Sequence, residues 1–441
     1  WAAYRPGLGA CEPSHINPAL CTHMIYTFVG ITTNGDVQVL DSWLDLPNGR
    51  DGFGKFTRLR ESSPGTKAMI AIGGWNEGSA KYSEVAANPQ LRARFAQNVV
   101  NFLRTYNFDG FDVDWEYPNQ RGGNPSDKLN FILLLKELKE AFNKHGYILS
   151  VAVGAAESLA SKSYHIANVS QNVDFINLMT YDYHGSWDSV TGTNAPLYAL
   201  SSEQGNQIMS NVNASVQYWL SEGASADKLI LGVPSYGRSF TLANPGNNGV
   251  GAPASGPGNS GPYTQATGML GYNEICEKLR QGWTVRREEQ QRVPYAFSGN
   301  QWVGYDDPTS IAEKVNYVLS NGLGGVMMWS IETDDFHGTC GEKYPLLSTI
   351  NRMLKRNVPI QSSSPQSPGA TTPPVITSPL PPPPSSSLCA DNREFVRDPN
   401  DCSKFYHCRE NANGGRDAIE FKCPDGLVFD TSFNGCNYPE N

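Results

Sequence analysis

Charged residues are scarce in this sequence. Asp, Glu, Lys and Arg make up 17% of its 441 residues, against about 25% in typical globular proteins. The net charge is −9 and the isoelectric point is about 5.4, which argues against binding to nucleic acid or to an anionic membrane surface. No run of eighteen apolar residues occurs, so we expect no membrane-spanning segment. A neutral ligand is the better match.

Metal-binding patterns are also missing. His15, His23, His145 and His165 show no metal-ligand spacing, and the sequence contains neither HExxH nor a paired CxxC. We therefore predict no metal ion and no cofactor.

Cysteines are sparse over most of the chain and crowded near its end. Five of the nine lie between Cys389 and Cys436, as in a small disulfide-stabilised module of an oxidising compartment. Two N-glycosylation sequons, at Asn168 and Asn213, agree with secretion. No signal peptide precedes Trp1, and we expect the sequence to begin within a mature chain.

Residues 358–388 are rich in Pro, Ser and Thr and show no periodic hydrophobic pattern. Such a composition cannot build a core, so it predicts an extended linker that is compatible with O-glycosylation. A proline-rich ligand for an intracellular adaptor is the alternative for Pro381–Pro384, and the predicted secretion disfavours it. The linker would separate a large domain, 1–357, from a tail, 389–441.

Short apolar runs alternate with amphipathic stretches in the large domain. The runs span 23–30, 67–75, 108–117, 147–154, 173–182, 228–237 and 323–332. Residues 89–106 and 128–146 have helical spacing of apolar residues. This alternation favours an α/β fold closed into a (β/α)₈ TIM barrel over an open doubly wound sheet. We predict that the eighth strand ends in the opening WAAY and has lost its first part, and that 239–302 form a small α+β insertion after strand 7.

Polar or aromatic residues stand at the ends of several runs. They are Trp75, Glu116, Tyr181, Asp182, Tyr236, Arg238 and Trp329. In a parallel barrel the carboxyl ends of the strands meet at the face that carries the active site. These side chains should therefore converge.

The segment FDGFDVDWEYP, residues 108–118, holds four acids in one apolar run. Strand alternation places Asp112, Asp114 and Glu116 on one face, about 6.6 Å apart, where their titrations can couple. Asp109 is out of phase, which indicates a structural role. A solvated strand face and a cation site are the alternatives, and the apolar residues on the opposite face disfavour an exposed strand.

Four motifs in order resemble the family 18 glycoside hydrolases, the chitinases: AIGGWN (71–76), the acid run, LMTYD (178–182) and MMWS (327–330). This resemblance covers residues 1 to about 356. In the tail, DPNDCSKFYHC (398–408) and CPDGLVFDTSFNGCNYPEN (423–441) resemble the peritrophin-A type chitin-binding module. Both resemblances imply one polymer, so we expect a secreted, monomeric chitinase that binds chitin and chito-oligosaccharides.

The resemblance implies roles for the acids. In family 18 the 2-acetamido oxygen of the substrate attacks in place of an enzyme nucleophile. Glu116 would be the general acid and then the base, and Asp114 would orient the acetamido group. Asp112 lies deeper and would share a proton with Asp114, because two adjacent buried carboxylates do not both ionise cheaply. Tyr181 would donate to the acetamido oxygen.

The resemblance also implies a substrate groove. Asp182 would bind a sugar hydroxyl, Trp329 would lie beneath the reacting sugar, and Met179 would line the site or belong to the barrel core. The other predicted groove residues are Trp1, Tyr4, Trp75, Trp187, Tyr236 and Arg238. Buried core is the alternative for each aromatic.

Disulfide pairing is likewise implied by resemblance. The implied pairs are Cys276–Cys340, Cys389–Cys408 and Cys423–Cys436. Cys21 and Cys402 would pair with cysteines outside this sequence, whereas Cys11 has no family partner and a Cys11–Cys21 bridge stays open. The tail residues predicted to stack on sugar rings are Phe405, Tyr406 and Tyr438, with Phe421 and Phe429 as further candidates.

Three other classes of protein compete with a chitinase. A catalytically dead lectin of the same fold would keep the groove and lose the acid, but Glu116 is present. An enzyme that cuts the chitobiose core of N-glycans would need no polymer anchor. A structural chitin-coat protein would have no use for the acids.

Overall fold

The computed structural model describes residues 5–356 and 358 and, in the tail, 395–398, 401, 403–410, 416–423, 428–430 and 435–437. The chain divides into two compact units, 1–361 and 362–441, and each is described by itself. Most of the predicted linker lies outside the described residues, as do Trp1 and Tyr4. Of the helices in the described part, none combines the length and apolarity that a membrane crossing requires.

The first unit is built on strands that alternate with helices. The strands are β1 (His23–Ile31), β2 (Val37–Gln38), β3 (Lys67–Gly73), β4 (Gly110–Asp114), β5 (Ile148–Gly154), β6 (Phe175–Met179), β7 (Leu229–Pro234), β8 (Tyr236–Leu242), β9 (Ala254–Pro257), β10 (Met269–Gly271), β11 (Thr284–Glu288), β12 (Val293–Ser298), β13 (Gln301–Gly304) and β14 (Gly325–Trp329). The helices are α1 (Ser42–Asp45), α2 (Gly52–Arg58), α3 (Ala80–Ala87), α4 (Pro89–Tyr106), α5 (Asp127–Asn143), α6 (Glu157–Ser163), α7 (Ile166–Asn172), α8 (Val212–Ser221), α9 (Tyr272–Arg280), α10 (Pro308–Ser320) and α11 (Pro345–Met353).

The main sheet has the order β14–β7–β6–β5–β4–β3–β1–β2. Its first seven strands are parallel, and β2 forms an antiparallel hairpin with β1. This confirms the predicted barrel architecture, while the predicted end of the eighth strand, at residues 1–4, lies outside the described residues. Within the described part, β14 pairs with β7 alone among the barrel strands, and all five of its residues are half-buried.

The strand that carries the acids is packed on both faces. All five residues of β4 are buried. On its outer face, the ring of Phe111 lies 6.2 Å from that of Phe95 on α4 and 6.4 Å from that of Phe142 on α5. Just beyond β4, Trp115 stacks on Tyr82 of α3 with ring centroids 5.0 Å apart. These contacts leave the opposite face of the strand to point into the barrel.

The start of β4 is held by polar contacts. The α4 helix begins after Asn88, whose side chain caps the first turn, and ends at Asn107 in the left-handed region with φ 60°. Asp109 then accepts hydrogen bonds from the Ala68 amide at 2.8 Å and the Arg60 guanidinium at 2.6 Å. Asp109 therefore joins β4 to β3, which agrees with the structural role inferred from its phase.

A small α+β insertion follows β7, as predicted. Strands β8 to β13 form a second sheet around Phe240, Tyr295 and Trp302, with α9 beside it. The predicted strand 228–237 is divided in two by a bend at Ser235. The Ser235 amide still donates to the Trp329 carbonyl of β14 at 2.9 Å, and its hydroxyl donates to the Ser330 carbonyl at 2.5 Å. Tyr236 and Arg238 therefore belong to β8, the first strand of the insertion.

The predicted Cys276–Cys340 disulfide is present, with 6.1 Å between the Cα atoms. It joins α9 to the segment before α11. Cys11 and Cys21 are both described and form no bridge with each other, so that alternative is wrong.

The second unit contains β15 (Phe395–Arg397), β16 (Lys404–Glu410) and β17 (Arg416–Lys422) in one antiparallel sheet and a hairpin of β18 (Val428–Asp430) and β19 (Gly435–Asn437). Cys408 and Cys423 are both disulfide-bonded. Cys389, Cys402 and the side chain of Cys436 lie outside the described residues, so the tail pairings stay predictions.

Candidate active site

The carboxyl end of β4 brings three acids into the barrel. Asp112, Asp114 and Glu116 alternate along the chain and are 4%, 5% and 9% exposed. The solvated-face alternative is therefore wrong. These carboxyl groups form what we call the acid column, which runs from Asp112 inside the barrel to Glu116 at the mouth.

Asp112 has two polar neighbours in the barrel interior. Its Oδ1 atom accepts hydrogen bonds from Ser150 Oγ on β5 at 2.5 Å and from Asn177 Nδ2 on β6 at 3.0 Å. Burial raises the pKa of Asp112 to about 6, although both hydrogen bonds act to lower it. Asp112 can therefore change its charge near neutral pH.

Asp114 differs from Asp112 in its hydrogen bonds. Among the described residues its buried Oδ1 atom has no hydrogen-bond partner. Burial raises the pKa of Asp114 well above its usual value, and the neighbouring carboxylates of Glu116 and Asp112 raise it further. A proton on Asp114 is thus favoured, and an oxygen is left to meet a group that enters the site.

Glu116 lies at the outer end of the acid column. Burial raises its pKa and so does the nearby Asp182 carboxylate, whereas a hydrogen bond from Tyr117 and the charge of Arg121 lower it. These opposed effects suit a group that must both donate and accept a proton.

A second polar cluster lies across the cleft. Asp182 Oδ1 accepts from the Tyr236 hydroxyl at 2.8 Å and from Arg238 Nε at 2.7 Å. Its backbone amide donates to Asn194 Oδ1 at 2.9 Å, and its φ is 60°. Tyr236 is itself buried, so it holds Asp182 rather than offering a ring face to solvent.

One cavity of about 1700 Å³ brings the predicted residues together. The predicted site residues that line it are Trp75, Asp112, Asp114, Glu116, Met179, Tyr181, Asp182, Trp187, Tyr236, Arg238 and Trp329. The predicted convergence at the strand ends is therefore present in the described residues.

Two kinds of aromatic surface face this cavity. Trp75 and Trp187 are 60% and 59% exposed, which leaves their rings available for stacking. Trp329 is half-buried at the end of β14, and its ring centroid lies 5.7 Å from that of Phe28. Deeper in the cavity, the Tyr181 hydroxyl lies 4.0 Å from Met327 Sδ, a weak contact that a better acceptor could replace.

Residues 1–334 match the family described as Glycosyl hydrolases family 18, and residues 389–441 match the Chitin binding Peritrophin-A domain. This chain belongs to glycosyl hydrolase family 18. The family membership confirms the resemblance carried by the four motifs, and it makes the protein a glycoside hydrolase by family.

Several similar proteins are known. An endochitinase of Manduca sexta is 35% identical over 100% of this chain and 93% of its own length. The Ostrinia furnacalis group IV chitinase, solved in complex with allosamidin, is 49% identical, with a TM-score of 0.78 over 80% of this chain and 96% of that one. Human YKL-39, described as a pseudo-chitinase with retained chitooligosaccharide binding, is 38% identical, with a TM-score of 0.75 over 80% and 97% of the two chains.

Sequence reasoning missed several residues of this family 18 site. Ser150 is the lone polar residue in an otherwise apolar strand, a signal that could have identified it. Arg121 and Asn194 lie in loops whose local sequence carries no comparable signal.

The raised pKa of Asp112 implies that the free energy of unfolding depends on pH. Its unfolded-state value is 3.8 and its folded-state value is about 6, so ionising it in the folded protein costs free energy above pH 6 and nothing below about pH 3.8. Asn in its place would still accept from Ser150 and Asn177 but would not ionise. The advantage of Asp112→Asn over wild type in unfolding free energy should therefore grow by about 2 kcal/mol between pH 4 and pH 7.

Urea unfolding of both proteins at the two pH values measures this gain. Glu222→Gln, at an exposed position after α8, is the control that removes a surface charge. A stability difference that stays the same from pH 4 to pH 7 would contradict the burial effect.

Proposed function

We propose that the protein is a secreted chitinase that hydrolyses polymers of β-1,4-linked N-acetylglucosamine with retention of configuration. The observation that carries this proposal is the acid column, complete to Glu116, at the floor of a cleft with exposed tryptophans. The similar proteins named endochitinase and chitinase support the substrate class.

In the first half of the proposed reaction, Glu116 gives its proton to the glycosidic oxygen as the bond to the anomeric carbon breaks. The 2-acetamido oxygen of the same sugar attacks that carbon and forms an oxazolinium ion. The acid column is buried, and the bound sugar would exclude water from it. Electrostatic contacts with the developing charge are stronger where water is excluded. No enzyme carboxylate bonds to the sugar in this scheme.

Asp114 would serve the acetamido group. Its Oδ1 atom, which has no hydrogen-bond partner in the described part of the chain, is suited to accept the acetamide N–H, which orients the attacking oxygen. As positive charge develops on the oxazolinium ion, a proton moving from Asp114 to Asp112 would leave Asp114 anionic. Ser150 and Asn177 hold Asp112 in place for this exchange.

In the second half, ionised Glu116 accepts a proton from a water molecule that attacks the anomeric carbon. The oxazolinium ring opens, the acetamido group is restored, and Glu116 regains its proton. Two inversions at one carbon restore the β configuration.

The residues around the acid column would hold the sugar. We assign the Tyr181 hydroxyl to the acetamido oxygen, Asp182 to a sugar hydroxyl, and Trp329 to the face of the reacting sugar. Met179 would line the same subsite. Trp75 and Trp187 would stack on neighbouring sugars, with Arg238 holding Asp182; Trp1 and Tyr4 stay predictions outside the described residues.

A lectin of the same fold is the second candidate. The 38% identity to a pseudo-chitinase that binds chitooligosaccharides keeps this candidate under consideration. Glu116 is present at the position of the proposed general acid, and its presence favours hydrolysis over binding alone. The Peritrophin-A match favours a polymer over the N-glycan core as substrate.

Glu116→Gln should lower kcat by at least about 10²-fold while ligand affinity is retained, because the amide keeps the shape of the side chain and cannot deliver a proton. Steady-state kinetics on a soluble chito-oligosaccharide and calorimetric binding measure the two properties. Glu222→Gln is again the surface control. Near-normal turnover in Glu116→Gln would remove Glu116 from the mechanism.

Partly deacetylated chitosan tests the nucleophile. A sugar without its acetyl group cannot supply the attacking oxygen, so every new reducing end should carry N-acetylglucosamine in the β form at release. Proton NMR of early products reads both properties. Glucosamine at new reducing ends, or initial α anomer, would mean that a carboxylate or a directly attacking water does the work.

The second unit is proposed to bind chitin and to raise the local concentration of the first unit at the polymer. Phe405 and Tyr406 on β16 are half-buried, and the Tyr406 hydroxyl donates to Asp398 Oδ2 at 2.7 Å, so its ring position is fixed. The proposed contact of Tyr438 lies outside the described residues.

A chain ending at Gln361 should hydrolyse short soluble oligomers normally and act more weakly on insoluble chitin. Product release from both substrates, measured side by side with the full chain, gives the comparison. Equal loss on both would show that the second unit supports the barrel instead.

A further inference from the structure

Arg121 links the proposed general acid to an exposed tryptophan of the cleft. It lies in the loop between β4 and α5, and its Nη1 atom donates to the main-chain oxygen of Glu116 at 2.9 Å. Its guanidinium carbon lies 3.6 Å from the centroid of the Trp75 ring. The side chain thus covers one face of Trp75 and leaves the other open.

The loop that carries Arg121 is held in place by its neighbours. The carboxylate of Asp127, which is fully buried, accepts from the amides of Asn119 at 3.2 Å and Asn124 at 2.7 Å. The side chain of Gln120 donates to Ser163 Oγ at 2.7 Å. Arg121 itself has φ 50°. These contacts hold the backbone of the loop, and the guanidinium is placed by the Glu116 carbonyl and the Trp75 ring.

We propose that Arg121 is a positioning residue whose cation holds the Glu116 segment and stabilises the Glu116 carboxylate that must act as base. This inference rests on the acid and base roles proposed for Glu116. A group used in both roles must give up its proton and regain it within one turnover. Burial and the Asp182 carboxylate oppose the ionised form of Glu116, whereas the hydrogen bond from Tyr117 and the charge of Arg121 favour it.

The groups that face Glu116 are mostly anions or neutral hydroxyls. Asp114 precedes it on β4, and Asp182 after β6 raises its pKa. The tyrosines that interact with its charge are Tyr82 of α3, Tyr117, Tyr164 and Tyr181. Arg238 is paired with Asp182 at 2.7 Å. Among these described neighbours, Arg121 is the cation that acts directly to lower the pKa of Glu116.

The effect should be sensitive to salt. Arg121 is exposed to solvent, so its field at Glu116 is partly screened by water and by dissolved ions. Glu116 itself is nearly buried. A high salt concentration should therefore weaken the contribution of Arg121.

The test is the pH profile of kcat/KM on a soluble chito-oligosaccharide for wild type, Arg121→Gln, Arg121→Lys and Arg94→Gln. Because Glu116 must be protonated to start the reaction, its ionisation sets the alkaline limb. In Arg121→Gln this limb should move to higher pH by roughly 0.5 unit or less, the size expected for one screened charge. Arg121→Lys keeps the charge and should stay near wild type. Arg94 on α4 pairs with Asp36, and Arg94→Gln should leave the limb in place.

At 1 M NaCl the limbs of wild type and Arg121→Gln should converge. An Arg121→Gln profile that superimposes on that of wild type at low salt would overturn the inference. A uniform loss of activity at every pH would also overturn it, because a purely structural role predicts that result.

A second readout separates this inference from the proposed function. Carbon-13 NMR of protein labelled at the glutamate carboxyl carbons follows the titration of Glu116 without turnover, and Glu116→Gln identifies its resonance. The titration midpoint should rise in Arg121→Gln. If it rises in a protein that cleaves no chitin, the electrostatic role stands and the proposed function fails. If hydrolysis is normal and the midpoint does not move, Arg121 has no such role.

Discussion

Three buried carboxyl groups, two on one face of β4 and the third two residues beyond its end, are the constraint on which the site depends. Burying a carboxylate is unfavourable unless donors or a proton compensate for lost water. Both kinds of compensation occur among the described residues. Asp112 accepts two hydrogen bonds, and Asp114 favours its protonated form. The outer face of β4 stabilises this arrangement through apolar packing against α3, α4 and α5.

The surroundings of the three acids differ along the strand, and that gradient gives each a distinct chemistry. Asp112 is surrounded by barrel side chains, and Asp114 has one oxygen without a hydrogen-bond partner among the described residues. The pKa of Glu116 is raised by Asp182 and lowered by Arg121. Acids of one type can thus be separated in pKa by their environment alone. The cluster of Asp182, Tyr236 and Arg238 adds a fixed polar wall across the cleft.

Much of this arrangement could be predicted because it follows from local patterns. The alternation of Asp112, Asp114 and Glu116 follows from strand geometry, and the alternation of apolar runs with amphipathic stretches indicated the barrel. The strand at 228–237 was predicted as one element, since Ser235 carries no local sign of the bend that divides it. Its hydrogen bonds go to Trp329 and Ser330, almost a hundred positions away in sequence.

The sequence by itself determined which residues share a face, which strands bear polar ends, and which family the chain resembles. Only the tertiary structure decided which side chains, distant in sequence, contact one another in the site. Ser150 and Asn177 reach Asp112 across 38 and 65 positions, and Arg121 reaches Trp75 from a different loop. Strand periodicity orients a side chain relative to its own backbone, whereas its neighbours across the barrel depend on register and closure of the whole sheet.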